Sequence, residues 1–328
     1  MKSRSVAAVT QGLVCLVALG WLGGCAATTS VAPAARTSTA PPAAPADSPA
    51  APADSPAALE GACSKGDALS CQKLGILYEV GKEVAPDNAR ATTFFQRACS
   101  GGLAQSCAEL GMAYQLGKGV SKDERQAATL YEKACSSGNE AGCFNLGLLY
   151  MEGLGLDKDE RRAAALFEKA CSGGLPEGCT NLGAFYIEGT VLPKDENMGV
   201  LLYDKACSSG YAPGCTGLAS AYMLGTGVLQ DVTKALVLYD KACTAGHAQG
   251  CFTIGVIAES GMGTSKNEQV AATFYEKGCT GGIAQSCFRL SLLYGQGRGV
   301  AQDKARANRL RKQACTGGFA AACNAPVN

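Results

Sequence analysis

The sequence predicts an all-α chain, an α-solenoid of antiparallel helix pairs. Three observations lead there. Sixteen of the 18 cysteines lie on a lattice: paired members are eight residues apart, and each pair starts 36 residues after the last. A fixed period of this length marks a repeat array, not two ordinary domains. Within one period, Cys143, Leu146, Gly147 and Tyr150 fall at i, i+3, i+4 and i+7, one face of a helix. A second stripe, Ala163, Phe167 and Ala170, follows Asp159, whose negative charge suits a helix N-terminus; Gly153 and Gly155 separate the two stripes.

The chain opens with basic Lys2 and Arg4, then an apolar run of 17 residues from Val6 to Leu22. Leu22-Gly23-Gly24-Cys25 ends it. A plain secretory signal would end at a small-x-small site. Leucine, two small residues and cysteine instead resemble the bacterial lipobox. That resemblance implies cleavage before Cys25 and a diacylglycerol on its thiol. The competing reading is a transmembrane anchor, for which 17 residues is near the lower limit. Residues 1–24 are therefore expected to be a lipoprotein signal peptide. Ala26 lacks the aspartate that resembles an inner-membrane retention signal, so the expected location is the outer membrane of a bacterial envelope.

Residues 25–58 hold the lipidated cysteine and a run of Ala, Pro, Ser and Thr in which APADSPA occurs twice in tandem. Such a segment buries no core and reads as a tether. At about 3.1 Å per residue it reaches on the order of 100 Å.

The array, residues 59–328, follows. Its cysteine pairs are Cys63 and Cys71, Cys99 and Cys107, Cys135 and Cys143, Cys171 and Cys179, Cys207 and Cys215, Cys243 and Cys251, Cys279 and Cys287, and Cys315 and Cys323. Zinc sites place thiolates two to four residues apart, often with histidine. Here the spacing is C-x7-C and His247 is the one histidine, so no metal and no cofactor is expected. Disulfides in an oxidising compartment account better for the cysteines. Pairing within each corner places the end of one helix against the first turn of the next, at the Cα separation of roughly 5–6 Å that a bridge needs. The sequence leaves other connectivities open, but local pairing works identically in all eight corners. With Cys15 removed and Cys25 lipidated, no cysteine is left over.

Several positions of Leu-Gly-x-x-Tyr, the Gly-x-Gly-Val turn and Leu-Tyr-Glu-Lys-Ala recur in seven units without insertion or deletion. In these motifs the repeats resemble Sel1-like repeats, relatives of tetratricopeptide repeats. The added C-x7-C makes them most similar to the cysteine-rich Hcp-like proteins of bacteria. The resemblance spans residues 57–323. It implies an α-solenoid with disulfide-bridged helix pairs acting as an adaptor for protein partners, and some relatives carry a β-lactamase or penicillin-binding label. Departures from the pattern include Ala258 for the tyrosine, Ala219 and Ser291 for the glycine, and Arg311 for the aromatic of the second stripe.

Candidates for chemistry are sparse. Ser70-Cys71-Gln72-Lys73 matches S-x-x-K, but the chain has no S-D-N and no K-T-G. One histidine cannot build a metallo-β-lactamase site, and His247 reads as a surface loop residue. Gly117-Lys118-Gly119 and its equivalents lack the Walker pattern and a preceding strand, so they read as helix–helix turns. Net charge is +1 with a pI near 7.3, which gives no global field for nucleic acid.

In the related tetratricopeptide arrays the first helices line the concave face. Carried across, that register nominates Phe144, Asn145, Met151, Thr180, Asn181, Thr216, Met223, Phe252 and Phe288 for partner binding. Phenylalanine and methionine suit apolar side chains, and asparagine amides suit an extended backbone. The expected function is a lipid-anchored, protein- or peptide-binding scaffold with no chemical step. The alternative is a β-lactam binder or weak hydrolase working through Ser70 and Lys73.

Overall fold

The computed structural model describes residues 55–324, which form sixteen α-helices and no strand. The expected signal peptide, Cys25 and most of the expected tether lie outside the described residues. A short helix, α1 (Pro56–Ser64), starts the array. Seven helix pairs follow, one per unit. The first helices are α2 (Ala68–Val80), α4 (Ala104–Leu116), α6 (Glu140–Glu152), α8 (Pro176–Glu188), α10 (Ala212–Leu224), α12 (Ala248–Ser260) and α14 (Ala284–Gln296). The second helices are α3 (Asn88–Ser100), α5 (Glu124–Ser136), α7 (Glu160–Ser172), α9 (Glu196–Ser208), α11 (Val232–Thr244), α13 (Glu268–Thr280) and α15 (Lys304–Thr316). A four-residue helix, α16 (Ala320–Cys323), closes the array.

The boundaries follow from local chemistry. Asp159 is the N-cap of α7 itself, and its carboxylate accepts from the Arg162 N–H at 3.0 Å. Asp123, Asp195, Asp231, Asn267 and Asp303 cap their helices in the same way. A side-chain cap of this kind contributes about 1 kcal/mol. First helices end in a left-handed glycine, as at Gly153 with φ +72°. The second turn glycine meets a stricter demand, because a Cβ on Gly119 would lie 2.1 Å from the Asn88 carbonyl oxygen of the preceding unit.

All eight cysteine pairs are bridged within their corners, with Cα separations of 4.4–4.8 Å. Closing so short a loop contributes on the order of 2–3 kcal/mol per bridge in the chain-entropy description. A second tie crosses between units. Lys133, Lys205 and Lys241 each donate Nζ to the carbonyl of the cysteine 34 residues earlier, at 2.9–3.1 Å. That carbonyl belongs to the last turn of a second helix, where a cation is favoured.

The core has no single centre. Among the described residues it is a succession of five local clusters, four of them filled by a second-helix aromatic (Tyr131, Phe167, Tyr239 or Tyr275) against leucines, isoleucines and alanines of adjoining helices. Successive helices pack against one another throughout, as a one-dimensional array requires. The closest packing between non-consecutive helices joins first helices, α4 with α6 and α8 with α10. The first helices therefore form the tighter, inner layer.

Candidate functional site

In the first two units the inner layer presents one row most fully to solvent. In α2 it comprises Leu69, Lys73, Ile76 and Val80, all exposed, and in α4 Gln105, Glu109, Met112 and Leu116. Equivalent positions in α6 and α8 are Asn145, Leu148 and Glu152, then Asn181, Ala184 and Glu188. The row changes character along the array. Leu69 is 53% and Val80 69% exposed, which gives the first two units an apolar surface. Glu152, Glu177 and Glu188 make the next two acidic.

This geometry sorts the sequence candidates. Asn145 and Asn181 stand on the row, in adjacent units. Phe144, Phe252 and Phe288 sit one residue to the side and are half-buried. Their rings meet Phe167, Tyr275 and Phe319 at 5.6, 6.0 and 5.2 Å between centroids. Thr180 is half-buried and donates to its own helix at the Pro176 carbonyl. Thr216 does the same toward Ala212, and Met151 packs against the cluster around Phe167. Met223 is a correction: at 6% exposure it belongs to the core with Ala219 and Tyr239, not to the face.

His247 also differs from expectation. It is the N-cap residue of α12, half-buried, with Nδ1 2.8 Å from Thr216 Oγ1 of the preceding unit. Burial holds its imidazole below the usual histidine range. Ser70 is buried, and its hydroxyl donates to Asp67, the N-cap of α2; that bond lowers the Asp67 carboxyl. The serine of S-x-x-K thus serves a helix cap.

One ionisable group on the row stands out. Burial pushes the Glu109 carboxyl up to about 7, against opposing hydrogen bonds and with the Glu79 charge adding to the rise. Gln105 donates to its Oε1 at 3.0 Å, while Oε2 and the Oγ of Ser106 have no partner. Asparagine stands at this position in the next two units, so the carboxyl is peculiar to the second.

The outer layer carries an order that the sequence reading missed. Arg90, Arg162, Lys234 and Arg306 lie over Tyr78, Tyr150, Tyr222 and Tyr294, with cation–centroid distances of 4.3, 5.5, 4.0 and 4.5 Å. These belong to units one, three, five and seven; Gln126, Met198 and Val270 take the place of the cation in units two, four and six. Reading that column two units at a time would have revealed the alternation. Among the described residues no cluster of His, Cys, Asp and Glu is arranged to hold a metal ion, and no helix is long and apolar enough to cross a membrane.

The Sel1 repeat family model matches seven times, over residues 68–103, 104–139, 141–175, 176–211, 212–247, 248–283 and 284–319. The chain is a Sel1-repeat protein. No curated protein matches it. Among solved structures it is similar to c5321, a protective antigen of uropathogenic Escherichia coli with an SLR fold, at 29% identity and a TM-score of 0.65. That match covers 81% of this chain and 57% of the Escherichia coli protein, so the chain spans little more than half the length of that relative. It is also similar to a Sel1-repeat protein of Oxalobacter formigenes, at 24% identity over 82% of this chain and 78% of the other, with a TM-score of 0.67. Cysteine-rich protein B of Helicobacter pylori is 30% identical over 37% of this Sel1-repeat chain and 86% of its own, with a TM-score of 0.31.

Proposed function

We propose that this protein is a lipid-anchored scaffold of the bacterial envelope that binds a protein or peptide along its inner row and performs no chemical step. The observation that carries the reading is the exposed row itself. Leu69, Ile76, Val80, Met112 and Leu116 are large apolar side chains left in water on the tighter layer of the array. Exposed apolar surface of this kind marks an interaction site. Asn145 and Asn181 then offer amides, and Glu152, Glu177 and Glu188 negative charge. A segment with apolar side chains at one end and basic ones at the other matches that order. Bridged corners hold the row in one shape before the partner arrives, which lowers the ordering cost of binding. The anchor is supported by Leu22-Gly23-Gly24-Cys25, and the outer membrane by Ala26.

Photo-crosslinking residues placed at Ile76, Met112 and Asn145 in cells are expected to capture one common partner. The same residue at Thr93 or Thr129, exposed on second helices, is expected not to. Equal capture from both sets would refute the inner-row assignment. Cys25→Ser is expected to move the protein from the membrane to the soluble fraction; retention there would remove the lipid anchor from the reading.

A further inference from the structure

The last second helix is the most basic of the seven. α15 carries Lys304, Arg306, Arg309, Arg311 and Lys312 and no acidic residue. Helices α5, α7, α9 and α13 each place a glutamate in the first turn, where α15 has Lys304. Where the second helices of units two to six have Glu132, Glu168, Asp204, Asp240 and Glu276, α15 has Lys312. Both reversals cost stability. A cation in the first turn opposes the helix dipole, and Arg306, Arg309 and Lys312 repel at i, i+3 spacing.

Two of the five cations have internal partners. Arg306 bonds Glu276 at 2.6 Å and lies over Tyr294, and Arg311 is engaged within the array. Lys304, Arg309 and Lys312 have no ion-pair partner among the described residues. All three are exposed on one stripe with Ala305 and Asn308. Only the four-residue α16 follows, so no further helix pair among the described residues covers this end.

We infer that the exposed stripe of α15 is a docking surface for a phosphate-bearing lipid layer, a second and reversible contact beside the anchor at Cys25. The inference rests on the lipid-anchored reading, because an anchored chain already lies beside such a surface. Three unpaired cations on a convex helix complement a sheet of phosphates. The stripe offers no aromatic ring for base stacking, which argues against single-stranded nucleic acid. It offers no large apolar side chain to insert, so the contact is electrostatic and sensitive to salt. Each cation near an anionic lipid surface is worth on the order of fivefold in affinity at low ionic strength.

All core clusters lie between Leu59 and Ala322, so residues 51–328 make a self-contained test protein. Co-sedimentation of the oxidised array is expected with vesicles of 70% phosphatidylcholine and about 30% phosphatidylglycerol at low salt, but not with phosphatidylcholine alone. The triple change Lys304→Gln, Arg309→Gln and Lys312→Gln is expected to weaken binding on the order of 100-fold. Lys122→Gln with Lys158→Gln, exposed lysines of earlier units, is expected to leave it unchanged. Unchanged binding by the triple variant with its helical content intact, equal binding to neutral vesicles, or preference for an oligonucleotide over vesicles overturns the proposal. The mass of the mature protein reports lipidation of Cys25 separately, so failure of the anchor and failure of this surface are distinguishable.

Discussion

The third and seventh units are built to one 36-residue plan and pack in opposite ways. In the third, Gly147 of α6 faces Phe167 of α7 so closely that a Cβ would lie 2.7 Å from the ring. Phe167 is fully buried and also meets Phe185 of the next unit at 5.9 Å. In the seventh, Ser291 takes the glycine's place and Arg311 the ring's. Ser291 is buried and donates to the Phe288 carbonyl. Both positions change in the seventh unit, whereas the fifth keeps its ring as Tyr239 against Ala219, so a methyl group at the glycine position still leaves room for a buried ring there. The ring, in turn, is used where a following unit covers it. Among the described residues only α16 follows the seventh unit, and there a side chain with a charged tip replaces the aromatic. The first unit shows the same rule at the other end. Glu83, φ +65°, occupies a turn position held by glycine in five other units, and no helix pair precedes it among the described residues.

The largest test of this contrast truncates both side chains. Phe167→Ala is expected to destabilise by about 3–5 kcal/mol, and Arg311→Ala by less than ~1 kcal/mol. Thermal and denaturant unfolding of oxidised protein measure both; equal losses would break the comparison. A second test sharpens it within the inner row. Glu109 has a folded pKa near 7, above its unfolded value, so its contribution is fully present below the unfolded pKa and is lost as pH rises through about 7. Glu109→Asn installs the residue of units three and four. It is expected to match the parent protein near pH 4 and to gain stability with rising pH, levelling off above pH 8 at no more than about 3 kcal/mol. A gain independent of pH would contradict a buried carboxyl. The smallest test concerns the turns. Gly119→Ala must strain both φ and the Asn88 carbonyl and is expected to cost about 2 kcal/mol; Glu83→Ala is expected to stay within about 0.5 kcal/mol.

Fold and covalent frame were legible in the sequence because each rests on spacing along the chain. Cys135 and Cys143 meet because of the turn between them, and Asp159 caps the helix that begins beside it. The binding face was legible only in part, because its assignment depends on rotation about a helix axis. One residue turns a side chain by about 100°, which puts half-buried Asn145 on the row and carries half-buried Phe144 round to the ring of Phe167. Met223 was misplaced for a related reason: its unit has Ala219 and Tyr239, and Tyr239 reaches Ser220 rather than a polar residue at position 223. In units two and six that tyrosine instead finds Gln115 or Glu259. The role of His247 depends on Thr216, which belongs to a different unit. Val191 breaks the Gly-x-Gly turn yet packs beside the core of its neighbours, so contacts between units again decide the outcome.

Every bridge joins a cysteine to the next cysteine in the chain. An enzyme that oxidises thiols in the order in which they emerge across a membrane would therefore make all eight native bonds and no others. In that order each would close before the following pair appeared, and the array would need no later reshuffling. Under the proposed cleavage before Cys25, that thiol would stand upstream of this order; left unblocked, it would compete for Cys63 and shift each later pairing by one. A lipid on that sulfur would also keep the register of oxidation.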